Sequence, residues 1–533
     1  MTVDLAVVGA GPAGLAAAAT AARLGLRVTL LDAAERPGGQ IHRHPAGGPV
    51  PRAARRLTRL LPIAPGGHTG TGALDGTAAH DGGDAPGGPG GHTGTGGHTG
   101  TGVLDGTAAH DGGDAPGGHT GTGGHDAPTT PGRTTPGRGG APRASGAPRD
   151  RDRARVTYLP GHHVWTVVRD GDTWLLHAVA GVDEEPAVVR ARAVLLATGA
   201  HERQLPFPGW TLPGVVGAGG AQAMLKGGLA LPGRRLVVAG SGPLLLAVAT
   251  TLAAAGARVP ALVEAADYTA YARHAAALAR NPAKLVQGAL HGGALVGRGT
   301  RLLTRHAVTA AHGTARVEAV TVTRLDADWR PVPGTGRRIP CDALAVGHGL
   351  VPQLELATGL GCATRRTPDG TPALEVDAEQ RTSVPGLWAA GETCGVGGAE
   401  LAEAEGEIAA LSVAGRTSAA LARRRARLRA FADAMAAAHR PGPGWTDWLD
   451  GTTEVCRCEE VTAATIREAV DGLGARDARS VKLLTRAGMG WCQGRVCGPA
   501  VARLAGHDPA PDRRPLSCPV PLSQLAQPPG AER

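Results

Sequence analysis

Four grouped cysteines and two glycine-rich turns are the features of this 533-residue chain whose residue types and spacing could do chemistry. Cys456-Arg457-Cys458 is followed, beyond a stretch with a helical pattern, by Cys492-Gln493-Gly494-Arg495-Val496-Cys497, while Cys341, Cys362, Cys394 and Cys518 stand alone. Thiolates are soft ligands, and four of them converging from two loops suit a 2Fe-2S cluster or a zinc ion, with no metal as the third reading. Grouped cysteines in a cytosolic chain point to metal or redox chemistry and away from a disulfide framework.

The first glycine-rich turn, Gly9-Ala10-Gly11-Pro12-Ala13-Gly14, follows an apolar run and opens an alanine-rich stretch. Glycines there let backbone N–H groups approach a pyrophosphate at a helix N-terminus, and Asp32, at the end of the next apolar run, is placed to hold ribose hydroxyls. A second turn, Gly240-Ser241-Gly242-Pro243-Leu244-Leu245, has Glu264 at nearly the interval that separates Asp32 from Gly9. Leu245 replaces its third glycine, which holds the helix farther from the strand. Two readings stay open for Gly240, Gly242 and Glu264: a site for NAD(P) or another nucleotide, or a turn kept for structure.

The residues after Asp32 choose FAD for the first site. Glu35-Arg36-Pro37-Gly38-Gly39-Gln40 comes soon after the acid, as in flavoproteins, and Ala197-Thr198-Gly199 closes a later strand where such chains leave the FAD domain. Val384 to Gly391-Glu392 resembles the flavin segment that normally ends in Gly-Asp, with Glu392 in place of the aspartate that accepts a ribityl hydrogen bond. The candidate FAD contacts are therefore Gly9, Gly11, Pro12, Ala13, Gly14, Asp32, Gly39, Gln40, Thr198, Gly199, Gly391 and Glu392. A helix expected after Gly397-Gly398-Ala399 would aim its positive end at the isoalloxazine. Cys394, alone in the intervening loop, reads as packing. A redox-active Cys-x4-Cys pair of the flavin disulfide reductases would lie soon after the first turn, and none is found near Gly38. No acid or base constellation stands out as catalytic.

The elements that must position these residues read as α/β. Leu5–Val8, Val28–Leu31, Val194–Leu196 and Leu236–Val238 are short continuous apolar runs, as buried parallel strands require. Leu236 to Ala255 is apolar enough to suggest a membrane span, but Gly240, Ser241, Gly242 and Pro243 break it into strand, turn and helix. An Arg/Ala-rich helix is expected from Ser418 to Arg440, and a helical pattern from Thr462 to Gly472. Aromatics make up 2% of residues, so the cores are built from Ala, Val and Leu. Residues 64–150 carry a repeat that begins at His68 and again at His98, with Val103 in place of Ala73, rich in Gly, Thr, His and Asp. With so little apolar surface to stack, this segment reads as a disordered insertion.

The expected division is 1–63, 151–210 and 341–415 for the FAD-binding domain, 211–340 for a second dinucleotide-binding domain, 416–448 for a helical connector, 449–507 for the cysteine module and 508–533 for a tail. The net charge of +9 is scattered, with no basic stripe interleaved with aromatics, which argues against nucleic acid. The first residues enter a strand without a basic leader or cleavage site, so the expected location is cytoplasmic, with peripheral attachment at the inner face of the membrane left open.

With these motifs in place, the chain resembles the FAD-containing A or α subunits of bacterial amine-oxidising dehydrogenases, the group that includes the B subunit of hydrogen cyanide synthase, the A subunit of opine oxidase and D-hydroxyproline dehydrogenase subunits. The resemblance is carried by Ala197 to Arg203 running into Pro206–Val215, by Leu344 to Pro352, by Cys456 to Thr462 and by Gly488 to Arg495. The last two stretches are also similar to bacterioferritin-associated ferredoxin, although the second cysteine pair here is spaced more widely. The resemblance implies two nested Rossmann-like domains of the pyridine nucleotide-disulfide reductase type plus a small iron–sulfur module, with Cys456, Cys458, Cys492 and Cys497 as cluster ligands. It also implies a role in electron transfer within a complex: a second flavoprotein subunit oxidises an amine or imino acid, and electrons pass through the cluster to an acceptor such as the respiratory chain. Two alternatives remain, a stand-alone NAD(P)H-dependent reductase and a zinc-containing assembly protein that holds FAD without catalysis.

Overall fold

A computed structural model describes residues 1–45, 155–511, 514 and 516–526. The repeat-bearing insertion lies outside the described residues.

The first sheet is organised around the strand Thr2–Val8, whose last four residues are apolar and buried. It pairs in parallel with Val28–Leu31 (Leu5 opposite Val28) and with Glu185–Leu196 (Leu5 opposite Ala193). Val156–Leu159 continues the sheet beyond Val28–Leu31, also in parallel. The first half of Glu185–Leu196 instead joins an antiparallel meander with His162–Asp170 and Thr173–Ala180. Its last residues pair with Leu387–Ala389. That pairing delivers Gly391 to the end of the sheet where the first glycine turn lies.

The second sheet is entirely parallel and has the order Arg301–Thr304, Ala261–Glu264, Leu236–Gly240, Ala343–Gly347, Val215–Gly217. The apolar segment from Leu236 resolves into the strand Leu236–Gly240 and the helix Leu244–Ala254, as the intervening glycines and proline predict. A three-stranded antiparallel sheet, His306–His312, Ala319–Arg324 and Arg337–Pro340, packs with it around Phe207, Trp210 and Val320. Among the described residues no helix is long and apolar enough to cross a membrane.

Small residues let helices touch. Helix Pro12–Arg23 starts with proline in its first turn, where a missing N–H costs nothing, and buries most of its residues. Helix Ala399–Val413 lies on it so closely that a Cβ on Gly406 would sit 2.1 Å from Ala13 O. The Arg/Ala-rich helix runs Ala419–Ala438, capped by the Ser418 side chain. It is fastened to Ala399–Val413 through Glu405, which is 0% exposed and meets Arg429 at 2.7 Å and Arg425 at 3.3 Å.

The cysteine module consists of a short hairpin (Glu454–Cys456 with Val461–Thr462) and the helices Ala463–Arg467, Ala478–Thr485 and Gly498–Leu504. The helical pattern expected to Gly472 is present, its second half as a wider turn over Glu468–Gly472. Val455, Ile466, Val481 and Val501 form one core with Trp329, Trp445 and Trp448, so the module is cemented to the body of the protein by tryptophan.

Candidate functional site

The residues read as FAD contacts converge at the end of the first sheet. Gly9 has φ +106°, a conformation glycine adopts without strain, and a Cβ there would lie 2.3 Å from Ala197 O, beside Thr198. Gly14 presses helix Pro12–Arg23 onto the strand, since a Cβ on it would come 1.8 Å from Gly9 O. Gly39 packs over Gly11, and Gly391 meets Ala13, with prospective Cβ distances of 3.1 and 3.0 Å. Asp32 accepts hydrogen bonds from Ala10 N–H and, at 2.7 Å, from Ala34 N–H. Burial raises its carboxyl pKa, and those two N–H groups oppose the rise. Thr198 Oγ1 donates to Gln353 O at 2.9 Å, while Gln40 is exposed. Gly391 N–H donates to Glu405 Oε2 at 3.0 Å, so the ion pair that fastens the connector helix also orients the flavin segment.

Glu392 behaves differently from the aspartate it replaces. Its two oxygens accept from Gly397 N–H (2.7 Å) and Gly398 N–H (2.9 Å), at the start of helix Ala399–Val413. The extra methylene lets the carboxylate reach back to the helix end expected to face the isoalloxazine. Burial raises its pKa, and the two N–H groups work against that. Sequence reading missed a second such cap: Glu202 accepts from Gly219 N–H (2.7 Å) and Gly220 N–H (3.1 Å) at the start of helix Ala218–Gly228. The acid stands several turns' length of chain before that helix, and no local capping pattern joins them.

Close-packed glycines, the N-terminus of helix Pro12–Arg23 and a half-buried acid thus meet at one end of the first sheet, an arrangement that fits the ADP half of FAD. His42, directly after Gly39-Gln40, is 8% exposed, and its Nε2 has no partner among the described residues, so a polar atom is left for a bound group to satisfy.

The second motif is not part of this convergence. Glu264 is 1% exposed; Oε2 accepts from Gly242 N–H (3.1 Å) and Oε1 from Ala266 N–H (3.0 Å). Leu245 is buried against the second sheet's own core. His439, at the end of helix Ala419–Ala438, places Nδ1 3.5 Å from Glu264 Oε1 and 3.2 Å from Ser241 Oγ. Tyr271 OH meets His439 Nε2 at 2.7 Å. Nothing in the linear spacing joins residues 241, 264, 271 and 439; tertiary packing alone brings them together.

The four cysteines open into one cleft of ≈ 320 Å³, whose opposite wall is Gln204, Trp210, Val215, Val216, Gly217 and Val346 from the second sheet and its approach. They are arranged as two pairs. Cys458 Sγ lies 3.9 Å from Cys492 Sγ, on the exposed side. Cys456 and Cys497 are buried and hydrogen-bonded to each other. The Cys497 thiol donating to Cys456 pulls Cys456 down to about 5; burial opposes this, and Gly488 N–H at 3.4 Å supports it. Trp210 Nε1 donates to Glu454 O at 2.6 Å, and Arg495, inside the second cysteine loop, pairs with Glu355 at 2.6 Å. These contacts lock both cysteine loops to the body.

A zinc ion with Zn–S near 2.3 Å needs all four sulfurs about 3.8 Å apart. Among the described residues no three His, Cys, Asp or Glu side chains converge on a single ion. Two pairs of thiols in one cleft fit two irons, each of which takes two protein thiolates in a 2Fe-2S cluster.

Three comparisons agree with this geometry. The model for the pyridine nucleotide-disulphide oxidoreductase family matches residues 3–415, and that for the BFD-like [2Fe-2S] binding domain matches residues 454–506. Hydrogen cyanide synthase subunit HcnB of Pseudomonas aeruginosa is 39% identical over 315 residues, 57% of this chain and 68% of that protein. The A subunit of opine oxidase from Rhizobium meliloti is 34% identical over 416 residues, 72% of this chain and 76% of that protein. In fold the chain is similar to L-proline dehydrogenase from P. horikoshii, with a TM-score of 0.57 at 17% identity, covering 99% of this chain and 80% of that one. The chain belongs to the pyridine nucleotide-disulphide oxidoreductase family, among the relatives of HcnB and the opine oxidase A subunit, and is an FAD-dependent oxidoreductase with a C-terminal 2Fe-2S domain.

Proposed function

We propose that this chain is the electron-transfer subunit of a heteromeric amine or imino-acid dehydrogenase. A second flavoprotein subunit oxidises the C–N bond, and the chain hands electrons on to an acceptor, which for a cytoplasmic complex includes the respiratory chain at the inner face of the membrane. The observation that carries this reading is the cleft: four thiols in two pairs face the approach to the second sheet, on a chain that also builds an FAD cradle. Both sequence relatives are, by name, subunits.

The cluster, when bound, supplies one-electron transfer between the two-electron flavin and a distant acceptor. The chain's own part is to hold and insulate. Cys456, Cys458, Cys492 and Cys497 are the proposed ligands, and Gly488 N–H stabilises negative charge on Cys456. Gly9, Gly11, Pro12, Ala13, Gly14, Asp32, Gly39, Gln40, Thr198, Gly199, Gly391 and Glu392 are proposed to line the FAD site.

The test is anaerobic reduction of the purified chain, alone and co-expressed with the flavoprotein encoded beside it, using glycine, hydroxyproline and an opine as substrates. Reduction only in the complex is expected. Full flavin bleaching of the isolated chain by NADH or NADPH would overturn the reading in favour of a stand-alone reductase. Cys492→Ser should remove the cluster's visible absorption and leave FAD stoichiometric; undiminished iron would refute the ligand set.

A further inference from the structure

The chain contains two copies of one device, and their difference is informative. In both, an acid at the end of the second strand accepts from a peptide N–H of the glycine turn and from the N–H two residues beyond itself. For Asp32 the partners are Ala10 and Ala34, and for Glu264 they are Gly242 and Ala266. Both acids are thus preset to meet ribose hydroxyls in the same way. Asp32 keeps part of its surface open, whereas Glu264 is 1% exposed and Ser241, in the turn itself, 3%.

The cover comes from the chain. The His439 imidazole touches Glu264 and Ser241 with one nitrogen and Tyr271 with the other. With Nδ1 protonated the set is complete: Nδ1–H donates to Ser241 Oγ at 3.2 Å with Glu264 Oε1 3.5 Å away, and the Tyr271 hydroxyl donates to Nε2. Tyr271 is itself stacked on Tyr268 with ring centroids 5.4 Å apart, and both rings stand edge-on to His439. A ribose seated on Glu264 would need the volume this ring fills.

The plug is anchored on both sides. Upstream, its helix is held by Glu405 through Arg425 and Arg429. Downstream, Gly442 and Gly444 are pressed onto Asp328: a Cβ on Gly442 would lie 2.5 Å from Asp328 O, and Gly444 N–H donates to that oxygen at 2.8 Å. Trp445 and Trp448 then enter the core of the cysteine module. Displacing His439 would therefore disturb the join between the two halves of the protein, which makes it a fixed part of the fold and not a lid.

We infer that the second dinucleotide motif is sealed by His439 and Tyr271, and that these two residues determine which reductant the chain accepts by excluding adenine dinucleotides such as NAD(P)H from that motif. The inference stands on the packing alone and is independent of the proposed partner.

The experiment uses the full chain with FAD and cluster bound, and ADP and NADH as probes. The wild type should show no calorimetric binding of ADP and no anaerobic flavin bleaching by NADH at concentrations up to about 1 mM. His439→Gly with Tyr271→Ala should bind ADP at least about tenfold more tightly than the wild type. Added imidazole, refilling the hole, should compete with ADP in the glycine variant. His439→Phe, which keeps a ring in place, should remain closed. If the glycine variant loses FAD, Tyr271→Ala alone should show the gain. Submillimolar binding of ADP or NADH to the wild type would overturn the inference. So would a folded, FAD-replete variant pair that still binds nothing, because the site would then be shut by something other than these rings.

Discussion

Glu405 is the residue whose loss should be felt in two places at once. It is fully buried, pairs with Arg429 (12% exposed) and Arg425 (22% exposed), and accepts the Gly391 N–H that orients the flavin segment. Glu405→Ala leaves the Arg429 guanidinium buried without its anion, a situation that costs about 3–5 kcal/mol. It also strands the Gly391 N–H, worth about 1–3 kcal/mol if no water replaces the carboxylate. Arg425 is exposed enough to re-solvate and adds little. The two costs share one carboxylate, so the expected total is about 4 kcal/mol, read as a lower urea midpoint for loss of flavin. FAD affinity should fall by about tenfold, the share assigned to Gly391. Glu405→Gln separates the effects: its amide oxygen still accepts from Gly391, so FAD should be retained while the urea midpoint still drops. A loss below about 1 kcal/mol for Glu405→Ala, with FAD retained, would refute the assignment of this buried pair as the clasp between connector and flavin helix.

Two further outcomes rest on particular contacts. His348 is buried between Trp329 and Trp448, and burial, aided by Arg203, lowers its pKa to about 3. The folded state refuses a proton that the unfolded chain accepts below about pH 6.5, so stability should fall as pH drops, by about 2 kcal/mol between pH 6.5 and 5. Urea titrations should show this slope in the wild type and its loss in His348→Gln; an equal slope in both would place the effect elsewhere. Gly490 leaves no room beside the cluster loop, since a Cβ there would lie 2.2 Å from Cys458 Cβ. Gly490→Ala should push Cys458 aside, at an overpacking cost of about 1–3 kcal/mol, and reduce iron content while FAD stays bound. Unchanged iron and cluster absorption would show that the loop can absorb the methyl group.

Much of the site could be read along the chain because the physics that specifies it is local. A tight turn needs glycine at Gly9, a helix can lie on a strand only where Gly14 lacks a Cβ, and an acid ending the next strand falls near the turn because the intervening helix has a set length. The continuous apolar runs likewise announced buried parallel strands. The antiparallel meander grafted on Glu185–Leu196 was not announced, since a strand that changes partner along its length has no pattern of its own.

What one dimension determined, then, was chemistry by residue type: a nucleotide turn with its acid, four soft ligands, and a second turn compromised at Leu245. Tertiary structure decided how those groups are used. It sorted the four thiols into an exposed and a buried pair, turned Glu392 back onto a helix end, and drove His439 into the second motif from a helix far downstream of Glu264. Contacts of that separation depend on how helices and sheets pack, which the spacing of residues along a chain does not encode locally. The first glycine turn and the second differ in the text at Leu245, but the larger difference is what the rest of the chain lays over them.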